Sequence, residues 1–359
     1  MKPIYFFTIF FLAACNFSNT TEKSQAAWSF KEFVKVDSAN PILLPDTSFY
    51  FDCPVSQTKV KWQSKNVLNP TAFVKDGKVY LLYRAQDSAM TSRLGLAISD
   101  DGIHFIKQPA PIFYPKQDSL KQYEWKGGVE DPRIVMTPDG SYFLTYTSYD
   151  GKTARLCFAM STDLKSWKKM GPVLKSEKYI NAWSKSGAVV VEQINDQMVA
   201  KQINGLYWMY FGDTDLYMAF SKDLIHWEAF ENNESKKMFS VLQPRPGYFD
   251  SRLVEPGPFA LYTSKGIVLI YNSSNAANNG DAGLPKYTYA AGQALFDANM
   301  PYKLIDRSNG YFIFPNKDYE LVGEVNNVCF VEGLVSFKNN WFLYYGTADS
   351  KIGVAIAKK

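Results

Sequence analysis

The sequence is poor in the residues that hold metals. Its 359 residues include two histidines and four cysteines. No Cys/His cluster has the spacing of a zinc site, so neither a metal nor any other cofactor is expected. Beyond Cys15 only Cys53, Cys157 and Cys329 remain, an odd number that leaves at least one thiol free even in an oxidising compartment. Cys157 and Cys329 sit in apolar, strand-like runs, and both are expected to be buried thiols. There is no basic run, and the net charge is only +4, which argues against nucleic acid as a partner. No apolar run reaches the roughly 20 residues of a membrane-spanning helix.

What the chain does have begins at its first residues. Lys2 precedes an apolar stretch from Ile4 to Phe11, and Leu12-Ala13-Ala14-Cys15 follows. Small residues before a cysteine mark a processing site rather than structure. Residues 1–14 therefore read as a lipoprotein signal peptide, with Cys15 as the lipidated first residue of the mature chain. Residues 15–27 are polar and suit a flexible tether. The expected location is the bacterial cell envelope, facing the periplasm, with the membrane touched only through the lipid. Residues 28–359 form the body.

The body repeats itself. A strand opens, a tight turn follows, and an aromatic-rich strand ends in a polar residue. The copies run from Asn69 to Asp87, Glu130 to Asp150, Ser186 to Asp213, Glu255 to Asn275 and Glu332 to Asp349. Their aligned tyrosines are Tyr83, Tyr146, Tyr210, Tyr271 and Tyr345, at intervals of 61 to 74 residues. Asp-Gly, Lys-Gly and Asn-Asn pairs mark the hairpins. An outer half recurs as well, with a Ser-x-Asp turn; His104 and His226 belong to it and read as structural. A unit of this length with four strands is a propeller blade, so the fold is expected to be all-β, a five-bladed β-propeller with few, short helices. Residues 28–62 either start the first blade or close the ring against the last.

In a propeller the openers of the repeats converge on the central axis. Here they are Asn69, Glu130-Asp131, Ser186, Glu255 and Glu332. Carboxyls crowded into one channel push their pKa values apart, which is what cleavage of a glycosidic bond requires: one group protonated, one ionised. A second ring comes from the repeat ends, where Asp87, Asp150, Asp213, Asn275 and Asp349 could bind sugar hydroxyls. Trp125, Tyr149, Trp183, Tyr248, Tyr287 and Tyr345 are candidate stacking platforms, and Arg133 is available to the acids.

Several motifs together resemble glycoside hydrolase family 130: Gly128-Val129-Glu130-Asp131-Pro132-Arg133, Tyr83-Arg84-Ala85, Glu255-Pro256-Gly257-Pro258, Glu332-Gly333-Leu334-Val335 and Tyr345-Gly346-Thr347-Ala348-Asp349. The resemblance implies a five-bladed propeller acting on β-mannosides with inversion and without a metal. It implies Asp131 as proton donor, acting through the mannose 3-hydroxyl, and Asn69, Arg84, Lys185 and Asp349 as residues that hold the mannose. Phosphorylases of the family carry a histidine in a Tyr-His-Gly run; here the run is Tyr271-Asn272-Ser273. Glu255 adds a carboxylate where phosphorylases usually have a small residue. The resemblance is therefore closer to the hydrolytic branch, with Glu255 and Glu332 holding and deprotonating water. The expected function is release of mannose from β-1,2-linked manno-oligosaccharides. The alternatives are a phosphorylase releasing mannose 1-phosphate and a catalytically silent glycan-binding lipoprotein.

Overall fold

The computed structural model describes residues 26–359. The expected leader, Cys15 and most of the tether lie outside the described residues. The described chain is almost entirely β. Its two helices, Lys121–Glu124 and Asp318–Leu321, have four residues each. No described helix is long and apolar enough to cross a membrane.

The strands fall into five successive antiparallel sets. The first comprises Asn66–Lys75, Lys78–Gln86, Ser92–Ser99 and Ile106–Lys107. The second comprises Gly128–Met136, Tyr142–Tyr149, Ala154–Ser161 and Lys168–Pro172. The third comprises Ala188–Ile194, Leu206–Phe211, Tyr217–Ser221 and Trp227–Ala229, with Gln197–Ala200 and Gln202–Ile203 lengthening its first hairpin. The fourth comprises Leu253–Thr263, Gly266–Ser274, Tyr289–Phe296 and Leu304–Arg307. The fifth has Cys329–Phe337, Asn340–Thr347 and Lys351–Lys358, and its outermost strand is Val34–Lys35 from the other end of the chain. Val34 pairs with Ile356 and Lys35 with Ala355. Of the two expectations for residues 28–62, it is a pairing with the last repeat, through Val34–Lys35, that is observed. The first strands of consecutive sets touch in turn, and that of the fifth touches that of the first.

The inner strands are buried on both faces, because each set is covered by its neighbours, whereas the outermost strands, such as Leu304–Arg307, are largely exposed. Phe337, Phe342 and Tyr344 of the fifth set pack with Ala72, Val79 and Leu81 of the first. Leu82 and Leu94 of the first meet Ile134 and Leu144 of the second. Each such aliphatic or aromatic side chain contributes on the order of 1.5–3 kcal/mol by leaving water. Cys53, Cys157 and Cys329 are free and buried, as expected for the last two. His104 and His226 cap their turns through Nδ1, each 2.7 Å from Asp101 or Asp223, with rings facing solvent.

The aligned tyrosines have a shared task. Tyr146 donates to Glu124 at 2.9 Å, Tyr271 to Asp250 at 2.8 Å, and Tyr345 to Glu320 at 2.9 Å. Each of these acids also meets a cation: Lys169 for Glu124, Arg245 and Arg307 for Asp250, Lys35 for Glu320. Tyr83 uses Gln63 instead, and Tyr210 the carbonyl of Pro301. In all but Tyr210 the hydroxyl thus clasps the segment that leads into a set onto that set's second strand. Tyr345, expected as a substrate platform, is wholly buried in this role. Its position is corrected accordingly: it faces the packing between strands.

Candidate active site

The repeat openers do converge. Four first strands carry an irregularity in their ladders at this level: between Leu68 and Pro70, Glu130 and Arg133, Pro256 and Ala260, and Val331 and Gly333. An extra residue in a strand re-aims its side chain out of the regular alternation. Asn69 and Asp131 (φ 47° each) hold left-handed backbone at two of these points, and Ser186 (φ 57°) does so just before the third set. For a residue with a Cβ that costs on the order of 1–2 kcal/mol, a local strain the surrounding ladders sustain.

The side chains so aimed surround a cavity of about 120 Å³ lined by Asn69, Arg84, Asp131, Lys185, Glu255, Tyr289, Val328, Phe330 and Asp349. Larger depressions, of about 810 and 600 Å³, lie along residues 31–38 and beside Trp28. Those are walled by the N-terminal segment and outer strands, whereas the small one gathers the buried charges. We therefore place the chemistry in the small one.

Asp131 is the centre of that charge. Arg84 donates to it at 3.1 Å and to Glu130 at 2.6 Å, and Lys185 lies 3.3 Å from its other oxygen. Burial alone would raise the Asp131 pKa, but Lys185, Arg84 and Arg133 outweigh it and hold the carboxyl at about 2. Glu255 accepts from Ser186 and lines the cavity. Burial pushes its carboxyl up to about 7, against the pull of Lys185 and with the push of Asp131. Asp349 is raised by burial to about 6, with Arg84 pulling the other way. Glu332 lies below the cavity floor, 1% exposed, accepting from Asn69 at 3.0 Å and paired with Arg133 at 3.1 Å. Burial takes it to about 8 despite Arg133. Neighbouring carboxyls with pKa values this far apart are the electrostatic signature of acid–base chemistry.

Other expected residues sit differently. Arg133 is buried under the floor, where it donates to the carbonyls of Gly257, Pro256 and Asp131. It braces the fourth set against the second and does not line the cavity. Asp87 is corrected to a turn cap: one oxygen accepts the amides of Ala89 and Thr91, and the other pairs with Arg93. Asp213 stands on the rim, accepting from the indole of Trp183 at 2.7 Å. Trp183 and Tyr287 are half exposed. Tyr289 and Phe330, absent from the sequence-based set, complete the wall. They lie just outside the repeated motifs, so alignment of the repeats had no means of singling them out. Among the described residues, no group of His, Cys, Asp and Glu could hold a metal ion.

Residues 34–359 match the glycoside hydrolase family 130 profile, described as β-1,4-mannooligosaccharide phosphorylase. The chain belongs to glycoside hydrolase family 130. A 1,2-β-oligomannan phosphorylase of Thermoanaerobacter sp. (strain X514) is 31% identical over 317 residues, which cover 85% of this chain and 95% of that one. A β-1,2-mannobiose phosphorylase of the same strain is 28% identical, covering 83% and 92%. Among solved structures, a family 130 protein is 44% identical with a TM-score of 0.91, covering 93% of this chain and 96% of its own. It was reported under the finding that this family of mannoside phosphorylases contains glycoside hydrolases that target β-1,2 mannosidic linkages in Candida mannan. A glycosyl hydrolase from Bacteroides ovatus is 43% identical with a TM-score of 0.90, covering 93% and 95%. Members of family 130 act on β-mannosides, and the relatives of this member include both phosphorylases and hydrolases.

Proposed function

We propose that this protein is an inverting glycosidase that uses water to release mannose from β-1,2-linked mannosides, on a five-bladed β-propeller. The cyclic contact of the first strands and the pairing of Val34–Lys35 with Lys351–Lys358 support the propeller reading. The observation that carries the choice of water over phosphate is Glu255, a buried carboxyl in the cavity wall beside Asp131. Around the cavity, Glu130, Asp131, Glu255, Glu332 and Asp349 gather with Arg84, Arg133 and Lys185. Arg84 and Lys185 are already engaged with Asp131. An inorganic phosphate would have to compete with these acids for cations they already engage, at a cost in ion pairs. A water molecule meets no such penalty.

Glu255 reaches the cavity and Glu332 does not, so Glu255 is the base and Glu332 supports it from below. A carboxyl that titrates near neutrality is well matched to that task. Asp131, ionised in the free site, becomes the donor only in the complex. There exclusion of water raises its pKa. The working form has Glu255 ionised and Asp131 protonated. In the free site Glu255 gains its proton-accepting form as pH rises through about 7.

The test is incubation with β-1,2-mannobiose, with and without inorganic phosphate, following products and anomeric configuration by NMR. Free mannose formed without phosphate, first as the α-anomer, is the expected result. Product that appears only with phosphate, as mannose 1-phosphate, overturns the proposal.

A further inference from the structure

Asn272 is wholly buried and touches no part of the cavity, yet it joins the two strands that bear the glutamates. In the ladder of the fourth set it stands directly opposite Glu255. Its side chain crosses to the fifth set, where Nδ2 donates to the carbonyl of Val331 at 2.9 Å and Oδ1 accepts the Val331 amide at 2.7 Å. Val331 precedes Glu332, and the ladder between Val331 and Gly333 is irregular, with Glu332 as the extra residue. The strand Cys329–Phe337 is paired along one side only, by Asn340–Thr347. At Val331 the Asn272 amide stands in for a strand on the other side, satisfying one backbone donor and one acceptor in a single contact.

We infer that Asn272 is a positioning residue that fixes the separation of Glu255 from Glu332, and with it the place of the attacking water. One residue is tied by backbone to the first glutamate and by side chain to the second. A displacement of about 1 Å in such an arrangement lowers the rate on the order of 100-fold. The inference rests on the proposed roles of the two glutamates. Asn272 is wholly buried, directs its amide at Val331 and does not line the cavity, so it does not reach a substrate and its loss acts on turnover more than on binding.

Two substitutions test this with β-1,2-mannobiose. Asn272→Leu removes both hydrogen bonds at similar volume. The expected kcat, normalised to folded protein by circular dichroism, falls about 100-fold with KM changed less than about threefold. Asn272→Asp keeps an acceptor at all pH values and regains a donor when protonated. The groups facing it are Glu255 across the ladder, Glu332 on the next strand and Arg133, which holds Glu332. The expected kcat of Asn272→Asp approaches that of the wild type at acid pH and drops at alkaline pH more steeply than the wild type does. A merely structural asparagine would lower the melting temperature and leave kcat per folded molecule unchanged. Wild-type kcat in Asn272→Leu, or a loss in Asn272→Asp that acid pH does not relieve, overturns the inference. If Asn272→Leu does not fold, the pH profile of Asn272→Asp decides alone. Failure of the wild type itself to cleave the disaccharide without phosphate would instead sink the proposed function, and that is seen before any variant is made.

Discussion

Replacing Glu255 by glutamine is expected to damage catalysis and to improve stability in the same molecule. The carboxyl is 6% exposed, and burial raises it from an ordinary value of 4.5 to about 7. In the unfolded chain the group ionises at the ordinary value; in the fold it keeps its proton to about 7. Between those values the native state binds the extra proton, so Glu255 subtracts from stability as pH rises through the window. Above the window the whole penalty is present. A gap of about 2.5 pH units at 1.36 kcal/mol each corresponds to about 3 kcal/mol. Glutamine has the same shape, can accept from Ser186, and carries no charge to bury. For a body of this size, Glu255→Gln should melt about 4 °C higher than the wild type at pH 8 and no higher at pH 4. Turnover of β-1,2-mannobiose should fall by about 100- to 10,000-fold, the range for a lost general base. Differential scanning calorimetry at the two pH values and steady-state kinetics provide the readouts. Full turnover in the variant, or a melting temperature at pH 8 no higher than that of the wild type, refutes the reasoning.

Three further outcomes are expected, two from the geometry and one from the sequence alone. Tyr345→Phe leaves the buried Glu320 with one partner fewer and should cost about 1–2 kcal/mol in urea unfolding without changing kcat, since its hydroxyl faces the packing. Trp183→Ala should raise KM several-fold for oligosaccharides longer than a disaccharide while sparing kcat, because the ring is 51% exposed on the rim with its nitrogen tied to Asp213. Cys15→Ser should move the expressed protein from the detergent phase to the aqueous phase on Triton X-114 partitioning; unchanged partitioning would rule out lipidation at that residue.

The repeats made much of this protein legible. Openers at like positions pointed to one cavity because period carries geometry, and Asn69, Asp131 and Glu255 do line it together. Where the reading missed, the partner lay outside the period. Tyr345 looks like a rim aromatic until Glu320 and Lys35 are placed beside it, and neither belongs to a repeat. Asp87 looks like Asp349, but its following turn and Arg93 take both of its oxygens. Asn272 is the reverse case. Read along its own strand it marks only a missing histidine, and its contact with Val331 comes from a strand about sixty residues later, a pairing that no local pattern encodes.

The strand Val34–Lys35 sets a timetable for the whole molecule. Its partners, Ala355 and Ile356, lie more than three hundred residues downstream. At ribosomal speeds of about 5–20 residues per second, an early strand waits on the order of tens of seconds for them. Until they emerge, Val34–Lys35 has no strand to pair with. The first set can likewise gain its full neighbour only when the last is made. Assembly is therefore finished from the C-terminal end, and the loss of even the final few residues would unfasten the beginning of the chain.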